Sequence, residues 1–482
     1  MEDLFYISFG IKLYKNSKKN KTQETEKEEK KETGKVEIKE TEKEEIQEKE
    51  KEEKEETGKG ETQKTEKEEK KKTEKAGEQE TEKTHIYYRN KTPLIKYEGT
   101  EKEREYREDE FLGEVKNEVS NIINRRFDNI VLLAGAGASV VTDSNDEIIN
   151  DYGKTMKKIA EFIFEKLNST KNNEFYKFQD LVEMTNFKNK AKITKDDGEN
   201  EILVDDFNLE DFLSNIIRFQ PYVNSEKSEK YERTKNKILE LIREETEYSY
   251  DDNIFKHETI LNLLTKKIEA PNKLSVVTTN YDTLFEDAAN ENNYTVFDGF
   301  KFMPEPEFDS DMFNWNLVKE VPDIKTKELE YNSRVINLIK IHGSITWKRV
   351  TENKIVRTEY ENIEAENSVM IFPSSDKYAQ SYQEPYFALF SRFQELLKRK
   401  NTLLITTGFS FSDNHICEIV TQAIKNNRSL TVLVSDYNIK QSNNTNWGKL
   451  LKLVNEYHQI SFLKATLNTD LAEFLGGNND NR

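Results

Sequence analysis

Four short segments of this 482-residue chain hold the residue types that chemistry needs. They are Gly135-Ala136-Gly137-Ala138-Ser139, Thr278-Thr279-Asn280-Tyr281-Asp282, Ile341-His342-Gly343-Ser344 and Gly408-Phe409-Ser410-Phe411-Ser412. Glycines let a backbone turn tightly and approach a ligand closely, and the amide N–H groups exposed in such a turn can cradle a pyrophosphate. Polar side chains such as Thr279, Asn280 and Tyr281 are in reach of a ligand when they sit at the end of a strand. His342 carries the one side chain whose unperturbed pKa lies near neutrality, which suits a proton-transfer group. Each segment has a plainer reading when taken alone. A strand followed by Gly-x-Gly also makes a simple tight turn, and a histidine at a strand end is often structural. Their order is the signal, because a parallel nucleotide-binding sheet collects its ligand groups from loops at the carboxyl ends of its strands.

The strands that must carry these loops are legible. Asn129–Ala134 is continuous, apolar and followed at once by glycine, the pattern of a strand buried on both faces. Leu274–Thr278, 335–341, Thr402–Thr407 and 430–434 read as further strands, the last ending near Ser435 and Asp436, with a short one at 370–373. Helical spacing predicts helices over 111–125, 282–292 and the aromatic-rich 385–399. The predicted fold is α/β, a Rossmann-like parallel sheet with helices on both faces. Between 152 and 270 the apolar spacing is mostly helical, as in Met156, Ile159, Ile163 and Leu167 or Leu209, Phe212, Leu213, Ile216 and Ile217. Helices are predicted over 236–247 and 258–268, and the polar stretch 186–201 reads as a loop. This predicts an inserted helical module that covers the ligand pocket or forms an oligomer face. The Gly135 loop lacks the third glycine of the dinucleotide fingerprint, and Gly153-Lys154-Thr155 fails as a Walker loop because position 148 is isoleucine.

Composition divides the chain into a tail, 1–104, and a folded domain, 105–482. From about 15 to 83 the sequence is almost entirely Glu, Lys, Thr, Gln and Gly, with phrases recurring at a fixed spacing: Thr41-Glu42-Lys43-Glu44-Glu45 returns at Thr65, and Glu32-Thr33-Gly34-Lys35 at Glu56. A solenoid repeat must bury an apolar face against its neighbours, and this one has almost nothing to bury, so it predicts a disordered low-complexity arm. The first eleven residues include an apolar stretch, but they begin acidic and lack a small-residue cleavage site, unlike a secretory signal. No stretch is long and apolar enough for a membrane span. A single cysteine, Cys417, excludes an internal disulfide and a cysteine-based zinc ribbon, and suits a reducing cytoplasm. Lys plus Arg total 74 against 92 for Asp plus Glu, a net charge of −18, which argues against a cationic surface for direct nucleic-acid binding.

Taken together, the motifs resemble the sirtuin family over roughly 129–436. Gly135 to Ser139 matches its phosphate-loop pattern, Thr279-Asn280-Tyr281-Asp282 resembles its Gln-Asn-x-Asp, and His342-Gly343 matches its catalytic His-Gly. Gly408 to Ser412 resembles its segment at the adenosine ribose. The stretch from Met370 through Tyr386, with Gly408 to Ile416, looks more like the bacterial sirtuin-like NAD hydrolases of anti-phage defence than like the deacylases. Deacylases of the family carry a four-cysteine zinc ribbon and an Ile-Pro-Asp-Phe-Arg segment, and Val140-Val141-Thr142-Asp143 does not match the latter.

The resemblance implies NAD as substrate, no zinc, and hydrolysis to ADP-ribose and nicotinamide. Asn280, Asp282 and His342 would be catalytic. Gly135, Ala136, Gly137, Ala138, Ser139, Thr279, Gly408, Ser410 and Asp436 would bind the dinucleotide. It implies control through a homo-oligomer, a phage trigger, or a partner such as a HerA-type hexameric ATPase or an Argonaute-like protein. Alternatives are a zinc-free deacylase or ADP-ribosyltransferase, and a non-catalytic NAD or ADP-ribose sensor.

Overall fold

A computed structural model describes residues 2–17, 85–98, 102–143, 147–149, 152–169, 174–190, 192–197, 200–204, 207–321, 328–359, 362–364, 367–371, 384–439 and 445–476. The chain divides into a smaller unit, Met1–Asp3 with Lys15–Tyr106, and a larger one, Leu4–Tyr14 with Arg107–Arg482. The chain opens with strands β1 (Glu2–Ser8) and β2 (Ile11–Ser17). Two antiparallel hairpins follow in the smaller unit, β3 (His85–Arg89) with β4 (Thr92–Pro93), and β5 (Ile95–Glu98) with β6 (Lys102–Glu105). The Glu/Lys repeat at 18–84 lies outside the described residues, whereas the described parts of the predicted tail are largely strand.

In the larger unit, helix α1 (Glu108–Ile123) leads into β7 (Asn129–Ala134). The inserted module follows: α2 (Met156–Ser169), α3 (Phe178–Thr185), the hairpin β8 (Thr194–Asp197) and β9 (Asn200–Leu203), α4 (Leu209–Phe219), α5 (Ser225–Glu244) and α6 (His257–Thr265). The predicted loop at 186–201 therefore contains part of a hairpin. Strand β8 is polar throughout, and the apolar Ile202 and Leu203 at the end of β9 are too few to signal alternation. Helix α5 begins well before the predicted 236. Asn224 caps it, its Oδ1 accepting the Glu226 N–H at 3.3 Å, and its first turns are too rich in Glu and Lys to show an apolar face.

The sheet then resumes with β10 (Leu274–Thr278), α7 (Leu284–Glu291), β11 (Thr295–Phe297), the exposed hairpin β12 (Val318–Glu320) and β13 (Leu329–Tyr331), and β14 (Val335–Lys340). After His342 an antiparallel sheet forms from β15 (Gly343–Thr351), β16 (Lys354–Arg357) and β17 (Ser368–Met370), in the order β16-β15-β17. The chain continues through α8 (Tyr386–Lys398), β18 (Thr402–Thr407), α9 (Asn414–Asn426), β19 (Leu430–Asp436), α10 (Thr445–Leu453), β20 (Ile460–Lys464) and α11 (Leu471–Phe474).

Seven parallel strands run in the order β11-β14-β10-β7-β18-β19-β20, and β1 joins β20 antiparallel through Tyr6 opposite Leu463. Strands β7, β10, β14 and β18 are buried almost throughout, as their largely apolar or β-branched runs require of a sheet covered on both faces. Leu389, Phe393, Ile416, Val420, Trp447 and Leu450, from α8, α9 and α10, share one apolar core with the sheet. From β7 the chain builds outward to one side through β10, and later to the other side through β18. The strand order thus reverses between β7 and β18, and a ligand crevice belongs outside the carboxyl ends of those two strands.

The module has its own core, in which Phe178 stacks on Phe212 at 4.9 Å, and that core is continuous with Tyr281, Ile345 and Met370 of the sheet domain. Tyr281 lies between Asn280 and Asp282. The module's core therefore reaches the segment that carries Asn280 and Asp282.

Candidate functional site

At the reversal of strand order two loops interlock. The Gly135 N–H donates to the Thr407 carbonyl at 3.1 Å, and the Gly137 N–H to the Gly408 carbonyl at 2.9 Å. Gly408 has φ +58, and a Cβ there would lie 2.2 Å from the Ala138 nitrogen. Only glycine lets the loops cross this closely. Residues Ala136–Ala138 form a single 3-10 turn, and the Asn468 amide braces it by donating to the Ala138 and Val140 carbonyls at 2.9 Å each.

The second loop is tied to the first by side chains. The Ser139 hydroxyl donates to Asp282 Oδ2 at 2.7 Å and accepts from Asn280 Nδ2 at 2.8 Å. A hydroxyl has one proton to give, so spending it on the carboxylate fixes which end of the Asn280 amide faces Ser139. The Asn280 N–H in turn donates to Thr278 Oγ1 at 3.0 Å. Asn280, Asp282 and Ser139 are all buried. Burial pushes the Asp282 carboxyl above the usual range, while the Lys340 ammonium and the Ser139 hydroxyl oppose that rise.

Lys340 ends β14 with its side chain buried. Its Nζ donates to the backbone carbonyls of Tyr281 and Asp282 and pairs with Glu286 at 2.8 Å. A cation thus fixes the Asn280–Asp282 turn from behind.

His342 is the second residue after Lys340, in the turn that follows β14, the strand next to β10. Its carbonyl accepts the Ile371 N–H at 2.7 Å, and its Nε2 lies 3.4 Å from Asp413 Oδ2. Asp413 follows the Gly408 to Ser412 segment, so the histidine loop and the loop after β18 meet through this pair.

Residues 274–455 match the family profile of the SIR2-like domain. This SIR2-like segment runs from β10 into α10 and contains Asn280, Asp282, His342, Gly408, Ser410 and Asp436, while the Gly135 loop precedes it. No curated protein matches the chain. One similar solved structure, described as "Structural Basis for the Mechanism and Regulation of Sir2 Enzymes", is 10% identical with a TM-score of 0.35, covering 75% of this chain and 96% of that one.

The predicted residues are not equally gathered. Gly135 to Ser139, Asn280, Asp282 and Gly408 meet through the contacts above, and Thr279 joins them through its N–H to the Ala134 carbonyl at 3.1 Å. Ser410 is exposed and shares a hydrogen bond with Ser412 at 2.8 Å. Asp436 closes β19, one strand beyond β18, at the same end of the sheet. Three buried participants of the SIR2-like segment and its flank were not among the predicted site residues: Lys340, Asp413 and Asn468. Lys340 had a signal, a lysine at the end of a mostly apolar strand, and Asp413 had another, an Asp-Asn pair opening a helix. Asn468 had none.

Burial pushes the Asp436 carboxyl up to about 6, against the opposing N–H groups of Asn438 and Tyr437. The folded chain then holds this proton more tightly than the unfolded chain does. The group's favourable contribution is full below its unfolded pKa, near 4, and is lost as pH rises through 6. Asp436→Asn is therefore expected to raise stability by about 2 kcal/mol at pH 8 and by clearly less at pH 5. Urea unfolding of both proteins at the two pH values checks this, and an equal gain at both would contradict it.

Proposed function

We propose that the protein is an NAD hydrolase that cleaves the glycosidic bond to nicotinamide and releases ADP-ribose. The observation that carries this reading is the hydrogen-bonded set Ser139, Asn280 and Asp282. It joins a glycine turn suited to a pyrophosphate to a buried amide and carboxylate, with His342 in the turn just after the adjoining strand. The SIR2-like match over 274–455 agrees with the NAD chemistry that the motifs imply.

The chemistry follows from charge. Loss of nicotinamide builds positive character on the ribose, and a site accelerates this by favouring that charge more than the ground state. Asp282, held at a fixed position by Ser139, opposes that charge from a low-dielectric pocket. The Asn280 carbonyl oxygen, turned away from Ser139, is an acceptor for a ribose hydroxyl or for water. His342 takes the proton from the attacking water. Gly135 to Ser139, Thr279, Gly408, Ser410 and Asp436 hold the rest of the dinucleotide. Such an activity in a cytoplasm calls for restraint, and we assign the protein to regulated anti-phage defence, controlled by assembly, by a partner or by a phage component.

The test is nicotinamide release from NAD without any peptide, across protein concentrations. Release that rises steeply with concentration would support hydrolysis controlled by assembly. Release only with an acyl-lysine peptide would transfer the assignment to a deacylase, and NAD binding without release under any trigger would transfer it to a sensor.

A further inference from the structure

We propose that Asp413 is a positioning residue that sets the proton affinity of His342. The inference rests on His342 acting as the base in the reaction above. Asp413 divides its carboxylate between two tasks. Its Oδ1 caps α9, accepting the His415 N–H at 2.9 Å and the Ile416 N–H at 3.1 Å, and its Oδ2 lies 3.4 Å from His342 Nε2. The cap matters to the pair. A surface carboxylate swings freely, whereas one locked onto two helix N–H groups holds its second oxygen at a constant place.

Burial explains why the pair is needed. Both side chains are less than a tenth exposed. A histidine so buried resists becoming an imidazolium, yet a base must carry that charge once it has taken its proton. A carboxylate within 4 Å offsets the loss. Among the described residues, the titratable groups near His342 include Asp413, which caps α9, and His415 of α9, while α8 contributes the apolar ring of Phe390, with centroids 6.4 Å apart. His415 stacks on the same ring at 4.5 Å, and burial, aided by the nearby His342, lowers its pKa against the pull of Asp413. His342 is thus the histidine whose Nε2 lies 3.4 Å from the second oxygen of the capping carboxylate.

Asparagine separates the two tasks, since it also caps helices well but carries no charge. In Asp413→Asn the His342 imidazole pKa, followed by NMR and assigned among the five histidines with His342→Gln, is expected to fall by roughly one unit. The acidic limb of kcat/KM for NAD cleavage should move to lower pH by the same amount, because the neutral base then persists to lower pH. Asp413→Ala should show the same histidine shift with a further loss of thermal stability from the missing cap. An unchanged His342 pKa in folded Asp413→Asn overturns the proposal, whether or not NAD is cleaved. A lowered pKa in a protein that never releases nicotinamide upholds the pair and overturns the hydrolase reading instead.

Discussion

Gly408→Ala is expected to destabilise the protein by about 3 kcal/mol or more and to abolish NAD cleavage and binding together. The backbone there is left-handed at φ +58, which costs a side-chain-bearing residue roughly 1–2 kcal/mol. The larger part is steric. The new methyl would lie 2.2 Å from the Ala138 nitrogen and 2.3 Å from the Gly137 carbonyl carbon, both backbone atoms that cannot rotate aside. Relief requires the two loops to part, which breaks the Gly137 N–H bond to the Gly408 carbonyl and releases the turn proposed to hold the pyrophosphate. Gly10 provides the control. Its φ is +74, but nothing lies within 4 Å of a Cβ there, so Gly10→Ala should cost only the dihedral term, about 1 kcal/mol, and leave activity intact. Urea unfolding and NAD binding of both variants decide the matter, and a Gly408→Ala protein as stable as Gly10→Ala would show that the loops do not touch.

The parallel sheet was legible because its physics is local. A strand buried on both faces, such as Thr402–Thr407, must be apolar or β-branched along its whole length, and the turn that ends it must break that pattern. The four loops were found in this way, and with them Asn280, Asp282 and His342. What escaped depended on contacts between distant segments. Strand β1 contains Leu4, Phe5 and Ile7 like any short apolar stretch, but its place in the sheet is set by β20, where the Tyr6 hydroxyl donates to Ser461 across 455 positions. Asp413 reads as an ordinary helix cap until the fold brings His342 beside its other oxygen. Lys340 stands out in its strand, but its contacts with Glu286 and the Tyr281 carbonyl depend on the neighbouring strand β10 and the turn after it. The module's placement was equally non-local, since only the shared core with Tyr281 brings it to the segment that carries Asn280 and Asp282.

The second large effect is expected at the centre of the proposed reaction. His342→Ala should lower nicotinamide release by on the order of 10²–10⁴, the usual contribution of a positioned acid or base. Asn280→Ala should lower it by a comparable factor, because the amide is lost and the Ser139 hydroxyl loses its donor at 2.8 Å, which loosens the contact that holds Asp282. The double variant should be only slightly slower than the worse single one. Both side chains are proposed to act on one event, delivery of water to the ribose as nicotinamide leaves, and once either is missing the other has no step to assist. Losses that simply multiply would mean that Asn280 binds the dinucleotide independently of His342. Single-turnover nicotinamide release from saturating NAD, with thermal unfolding to confirm that all three variants fold, separates these cases. A His342→Ala protein that retained the full rate would remove the histidine from the reaction and leave Asp282, with its raised pKa, as the group that must take the proton.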